Sequence, residues 1–103
     1  MTPEAKVKAA VKRLLQQLKN DGEPIWWFWP PNNGLGKSGV PDLILCWHGR
    51  LVGIELKAPG RLAQVTPLQQ AQLEGIRAAG GTALAADTVQ AVQSLLALTR
   101  SWH

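Results

Sequence analysis

One cysteine, Cys46, stands among the 103 residues, so no disulfide can form within the chain. With only two histidines, His48 and His103, neither a thiolate nor an imidazole cage can be assembled, and any metal the chain uses must be held by oxygen. Acidic residues are scarce, 7 Asp+Glu against 11 Lys+Arg for a net charge of +4, so a cluster of acids costs repulsion that asks for a cause. No apolar run approaches the roughly 18 residues of a membrane span, and the N-terminus lacks the apolar centre of a secretory signal. The expectation is a soluble, cytoplasmic protein with no membrane partner. What is present excludes disorder: 46% of the residues are hydrophobic, and 103 residues suit one domain spanning 1–103. The basic surplus is compatible with nucleic acid, an acidic membrane surface or an acidic protein, and does not choose among them.

The chain opens on Thr2, Pro3 and Glu4, which read as N-cap, first helical position and first-turn acid. A helix is predicted from about Pro3 to Asp21, closed by Gly22, with Val7, Val11, Leu14, Leu15 and Leu18 on one stripe. Lys6, Lys8, Lys12, Arg13 and Lys19 lie on other faces, as a solvated surface or a contact for phosphates. Glu4 projects along the apolar stripe, where it needs a partner or serves the helix dipole. Ile25 to Trp29 is aromatic, too short for a helix and halted by Pro30-Pro31, hence a strand. Its tryptophans alternate between sheet faces, so some need a cover, either a second subunit or stacked bases.

After a turn-rich loop come two β runs, Asp42 to Trp47 and Arg50 to Lys57, separated by His48-Gly49. Thr66, Pro67 and Gln69 begin a helix that stops at Gly80-Gly81, and Thr66 with Gln69 forms a capping box. Thr82 to Ala86 is a short strand, and Asp87 or Thr88 caps a last helix through about Thr99. The order α-β-β-β-α-β-α predicts an α/β fold with a mixed β-sheet flanked by helices.

The hairpin register carries the chemistry. With His48 and Gly49 as loop residues, Trp47 faces Arg50, Cys46 faces Leu51 and, counting outward, Asp42 faces Glu55. Two carboxylates then oppose each other, with Lys57 on the same face, while Val52, Ile54 and Leu56 meet Leu43, Leu45 and Trp47 on the other, a core face. A divalent cation would relieve the repulsion, because Mg²⁺ takes carboxylate oxygens with water and substrate phosphate. Lys57 beside it could hold a water or balance charge developing on phosphorus. That is the equipment of a metal-dependent phosphodiesterase. Cys46 reads as a small packing residue, His48 as turn chemistry and His103 as a terminal residue without a role.

Ser38-Gly39-Val40-Pro41-Asp42-Leu43-Ile44, then Glu55-Leu56-Lys57, then Thr66-Pro67-Leu68-Gln69 resemble the PD-(D/E)xK nuclease superfamily, and within it the stand-alone VRR-NUC family. The resemblance spans nearly the whole chain. It implies a restriction-endonuclease-like core, with Asp42, Glu55 and the backbone carbonyl of Leu56 as ligands to Mg²⁺ or Mn²⁺ and Lys57 positioning the attacking water. Gln69 and Glu4 would assist metal or phosphate binding. It further implies an endodeoxyribonuclease acting as a homodimer on branched DNA, a Holliday-junction resolvase, in a bacterial or phage-infected cell. Lys8, Lys12, Arg13, Lys37, Ser38 and Arg61 are the expected DNA contacts. A flap or restriction-type nuclease, or a non-catalytic DNA-binding module on this fold, are the alternatives.

Overall fold

The computed structural model describes residues 1–31 and 39–100. Helix α1 spans Pro3–Asn20, strand β1 Ile25–Phe28, β2 Leu43–Trp47, β3 Arg50–Leu56, helix α2 Pro67–Ala78, β4 Thr82–Ala86 and α3 Val89–Thr99. The expected element order holds, with one addition, a 3₁₀ turn at Leu62–Gln64 inside what reads from sequence as plain loop. The ends shift by a residue: Trp29, Asp42 and Lys57 fall just outside their strands. Helix α1 is capped by the Thr2 hydroxyl, which accepts from the Ala5 N–H, and α3 by Thr88 rather than Asp87.

The four strands lie in the order β1-β2-β3-β4. β1, β2 and β3 are antiparallel neighbours, and β4 joins β3 in parallel after the crossover through α2, so the sheet is mixed. His48 (φ 49°) and Gly49 (φ 79°) both take the left-handed conformation that a tight two-residue hairpin turn of this twist requires. That turn fixes the register, with Trp47 opposite Arg50, Cys46 opposite Leu51 and Leu43 opposite Ile54, as counted from sequence. The turn is tied down further: His48 Nε2 lies 2.8 Å from Glu23 Oε2, which also accepts from Arg100 Nε at 3.1 Å.

One sheet face forms the core. Leu43, Leu45, Trp47, Val52, Ile54 and Leu56 pack there against Val7, Val11 and Leu15 of α1 and Val92 and Leu96 of α3. Trp47 is fully buried, and its indole N–H donates to the Leu96 carbonyl at 3.0 Å, so its one polar atom is satisfied. The other face is not the open polar surface that alternation alone suggests. α2 crosses it above β3, and Gly53 makes room: a Cβ there would lie 2.6 Å from Ile76 Cδ1 and 3.3 Å from Pro41 Cγ. No helix among the described residues is long and apolar enough to cross a membrane.

A second glycine seats the approach to β2 on α2. Gly39 has φ +78°, and a Cβ on it would lie 2.5 Å from the Leu68 carbonyl oxygen and 2.8 Å from the Gln69 nitrogen, both backbone atoms that cannot yield. Gly39→Ala combines a disfavoured φ with a backbone clash and is expected to lower stability by about 2 kcal/mol or more, read from urea unfolding midpoints at unchanged m-value.

Candidate active site

The ends of four elements converge on Asp42 and Glu55. Asp42 immediately precedes β2, and the register that pairs Leu43 with Ile54 sets it opposite Glu55 near the end of β3. Its Oδ2 accepts a hydrogen bond from the Leu56 backbone N–H at 2.8 Å, which clamps the carboxylate onto the neighbouring strand. Leu56, expected from the resemblance to offer its carbonyl, thus also orients Asp42 through its amide.

Glu55 is 3% exposed, one of two buried polar residues in the described chain. Its Oε2 receives Gln69 Nε2 at 3.1 Å and lies 3.5 Å from Lys57 Nζ. Its Oε1 is buried with no hydrogen-bond partner. Burial above all, and then the neighbouring Asp42 charge, push the Glu55 carboxyl up to about 7, against the smaller opposing pull of Lys57. A buried glutamate that resists ionisation, with one oxygen unpartnered and a second carboxylate beside it, suits an oxygen-donor cation site. The residues fit Mg²⁺ or Mn²⁺. The protein itself supplies few ligands: among the described residues no group of three or more His, Cys, Asp or Glu side chains could hold a metal.

Gln69, read from sequence as either a helix cap or a site residue, caps its helix and also contacts Glu55. The Thr66 hydroxyl accepts from the Gln69 N–H and Gln69 Oε1 accepts from the Thr66 N–H at 2.9 Å, completing the capping box. With the amide oxygen so engaged, the NH₂ group is turned toward Glu55. Helix α2 therefore delivers its donor in a fixed orientation.

Glu4 reaches the same end of the molecule, with Lys8 interposed. Lys8 Nζ lies 3.6 Å from Glu4 Oε2 and 3.7 Å from Asp42 Oδ1. Lys8, expected from sequence on a solvated or phosphate-contacting face, also stands beside Asp42, a contact that expectation does not contain. The i,i+4 spacing to Glu4 was the available signal. The other expected DNA contacts are dispersed: Lys12 Nζ sits 5.3 Å from the Trp29 ring centroid, and Arg13 and Arg61 are exposed. Lys37 and Ser38 lie outside the described residues.

No protein-family model matches the chain, and no curated protein matches it in sequence. Solved structures do. One described as "VRR_NUC domain" superposes with a TM-score of 0.74 over 100% of both chains at 20% identity. Another, "VRR_NUC domain protein", gives a TM-score of 0.70 at 23% identity over 91% of this chain and 84% of its own. The chain has the VRR_NUC fold. At these identities the likeness is one of architecture, and in this VRR_NUC fold the carboxylate pair comes from the sequence and geometry of the chain itself.

Because the folded carboxyl titrates near 7 rather than at the ordinary 4.5, Glu55 supports folding while protonated. Its contribution is present below about pH 4.5 and is lost as pH rises through 7. In EDTA, Glu55→Gln is expected to be more stable than the wild type at pH 8 by on the order of 2 kcal/mol and close to it at pH 4.5, measured by urea unfolding.

Proposed function

We propose that the whole chain is one VRR-NUC domain and that it is a metal-dependent DNA endonuclease hydrolysing phosphodiester bonds. The observation that carries this reading is the buried, partly unpartnered Glu55 beside Asp42, flanked by Lys57, at one end of a sheet with the VRR_NUC architecture. A divalent cation held by Asp42, Glu55 and the Leu56 carbonyl would supply Lewis acidity toward the phosphate and a water of lowered pKa.

The chain's own residues do the rest. Lys57, 3.5 Å from Glu55, is held where its ammonium can orient the attacking water and offset negative charge as phosphorus becomes five-coordinate. Gln69 keeps Glu55 from rotating, and the Leu56 N–H does the same for Asp42, so both carboxylates are set before substrate arrives. Lys8 joins the Glu4 side of the site to Asp42 and leaves an ammonium near the entering phosphate. The net charge of +4 favours a polyanionic substrate.

Branched DNA, in particular a four-way junction, is the substrate this reading favours, with a homodimer supplying two symmetric cuts. The test is cleavage of labelled four-way, flap, single-stranded and duplex DNA with Mg²⁺, Mn²⁺ or EDTA. Symmetric nicking of the junction with metal is expected, and a loss of about 10³-fold or more in Asp42→Asn or Lys57→Ala. Binding without cutting under every condition would make the protein a non-catalytic DNA-binding module. Preference for the flap or for plain duplex would make it a flap or restriction-type nuclease. Light scattering reads the oligomer, and a strict monomer would count against resolving both strands of a junction. Gln69→Ala removes the bond that orients Glu55 together with the capping-box bond to the Thr66 N–H, and is expected to cost about 10-fold in kcat with little change in KM.

Phosphate contacts by α1 have their own signature. Changing Lys12 and Arg13 together to Ala is expected to weaken binding to all DNA sequences alike and to reduce the slope of log K against log salt by about 2. An unchanged slope would show that this face only meets solvent.

A further inference from the structure

The sheet face that carries Asp42 and Glu55 also carries an uncovered aromatic pair. The β1–β2 register sets Phe28 against Ile44 and Trp26 against Cys46, and the β2–β3 register sets Cys46 against Leu51. Since Leu43, Leu45 and Trp47 point into the core, Ile44 and Cys46 point the other way, and Trp26 and Phe28 with them. α2 shields β3 on this side and leaves β1 open: Trp26 is 60% exposed and Phe28 42%. Their rings lie 5.7 Å apart at 45°. Phe28 is one strand outward and two residues along from Asp42, about 8 Å by ordinary sheet spacings.

We propose that Trp26 and Phe28 form a stacking platform that holds an unstacked base of the nucleic-acid strand whose phosphate lies at Asp42 and Glu55. The inference rests on the nuclease reading and adds a binding subsite to it. Its consequence is a preference for strands with unpaired or splayed bases beside the cut over continuous duplex. Position on the catalytic face is the first argument, because a strand laid across Asp42 and Glu55 toward β1 brings its next bases over these rings. Ring chemistry is the second. Tryptophan and phenylalanine offer π faces that stack on any base, whereas a face built only for apolar burial needs no rings. Charge is the third: a net charge of +4 attracts a polyanion. The β1 edge is moreover four residues long and bracketed by Pro24 and Pro30, which opposes extension of the sheet by another strand.

The test uses the full chain in EDTA, so that nothing is cut, with fluorescein-labelled oligothymidylate and a duplex of equal length read by anisotropy. Trp26→Ala is expected to weaken single-strand binding roughly 5- to 150-fold and duplex binding less than 2-fold. Trp26→Phe, which keeps a ring, should stay near wild type, and Trp26→Leu, which keeps only apolar bulk, should fall with Ala. A Leu variant that binds like wild type, or equal losses on single strand and duplex, would overturn the platform. So would sedimentation showing a wild-type dimer that Trp26→Ala converts to monomer, since the face would then belong to a second copy. Ring-dependent binding by a protein that never cuts DNA would uphold the platform and sink the nuclease reading, while junction cutting and single-strand binding indifferent to Trp26 would do the reverse.

Discussion

Everything near the site is arranged around one costly group, the buried carboxyl of Glu55. It sits in β3 between Ile54 and Leu56, both fully buried, within a run of buried residues from Val52 to Leu56. Withdrawing a carboxylate from water costs several kcal/mol, and the adjacent Asp42 makes ionisation harder still. Lys57 at 3.5 Å and the Gln69 amide at 3.1 Å offset part of that cost, and Oε1 receives no compensation. An apolar residue would serve the sheet better. The strand is held in place by the core on the far face, built from α1, α3 and the alternate residues of β2 and β3. A group that folding alone disfavours, held by a fold that can carry it, is what the proposed role in metal binding would account for.

Much of this is legible from sequence because strand side chains alternate with a period of two and the hairpin turn pins the count. Once His48-Gly49 is recognised as the turn, Asp42 opposite Glu55 and the core set Leu43, Leu45, Trp47, Val52, Ile54 and Leu56 follow by arithmetic, and the structure has them all. Thr2, Thr66 and Thr88 mark their helix starts through hydroxyls that accept a backbone N–H, a local interaction that local sequence can encode. Contacts between elements distant in sequence are harder. Alternation gives the face bearing Asp42, Glu55 and Lys57 but not what covers it. The signal was Gly53, a missing side chain in an otherwise filled strand, which is the space Ile76 occupies. Lys8 is harder again, since the rotation of α1 against the sheet is set by packing of Val7, Val11 and Leu15 and brings Lys8 to Asp42 only as a consequence.

The contacts around the carboxylates divide into stiff and soft. Asp42 is held by a backbone N–H of β3, and Glu55 by an amide whose other end is locked into a capping box, so both orientations are inherited from secondary structure. The ammonium groups are different. Lys8 lies 3.6 and 3.7 Å from its two partners and Lys57 lies 3.5 Å from Glu55, each at the end of a four-carbon chain. For the partly exposed Lys8 pairs such an ion pair is worth on the order of 1 kcal/mol, little enough for that lysine to exchange one oxygen for another. Rigid anions and mobile cations suit hydrolysis of a phosphodiester. In the proposed reaction the anions would keep their spacing while the cations would follow negative charge as it develops on the phosphate oxygens. The fold provides that division by taking the acids from strand ends fixed by hydrogen bonds and leaving the lysines on long, unbranched side chains, Lys8 partly in solvent and Lys57 largely covered.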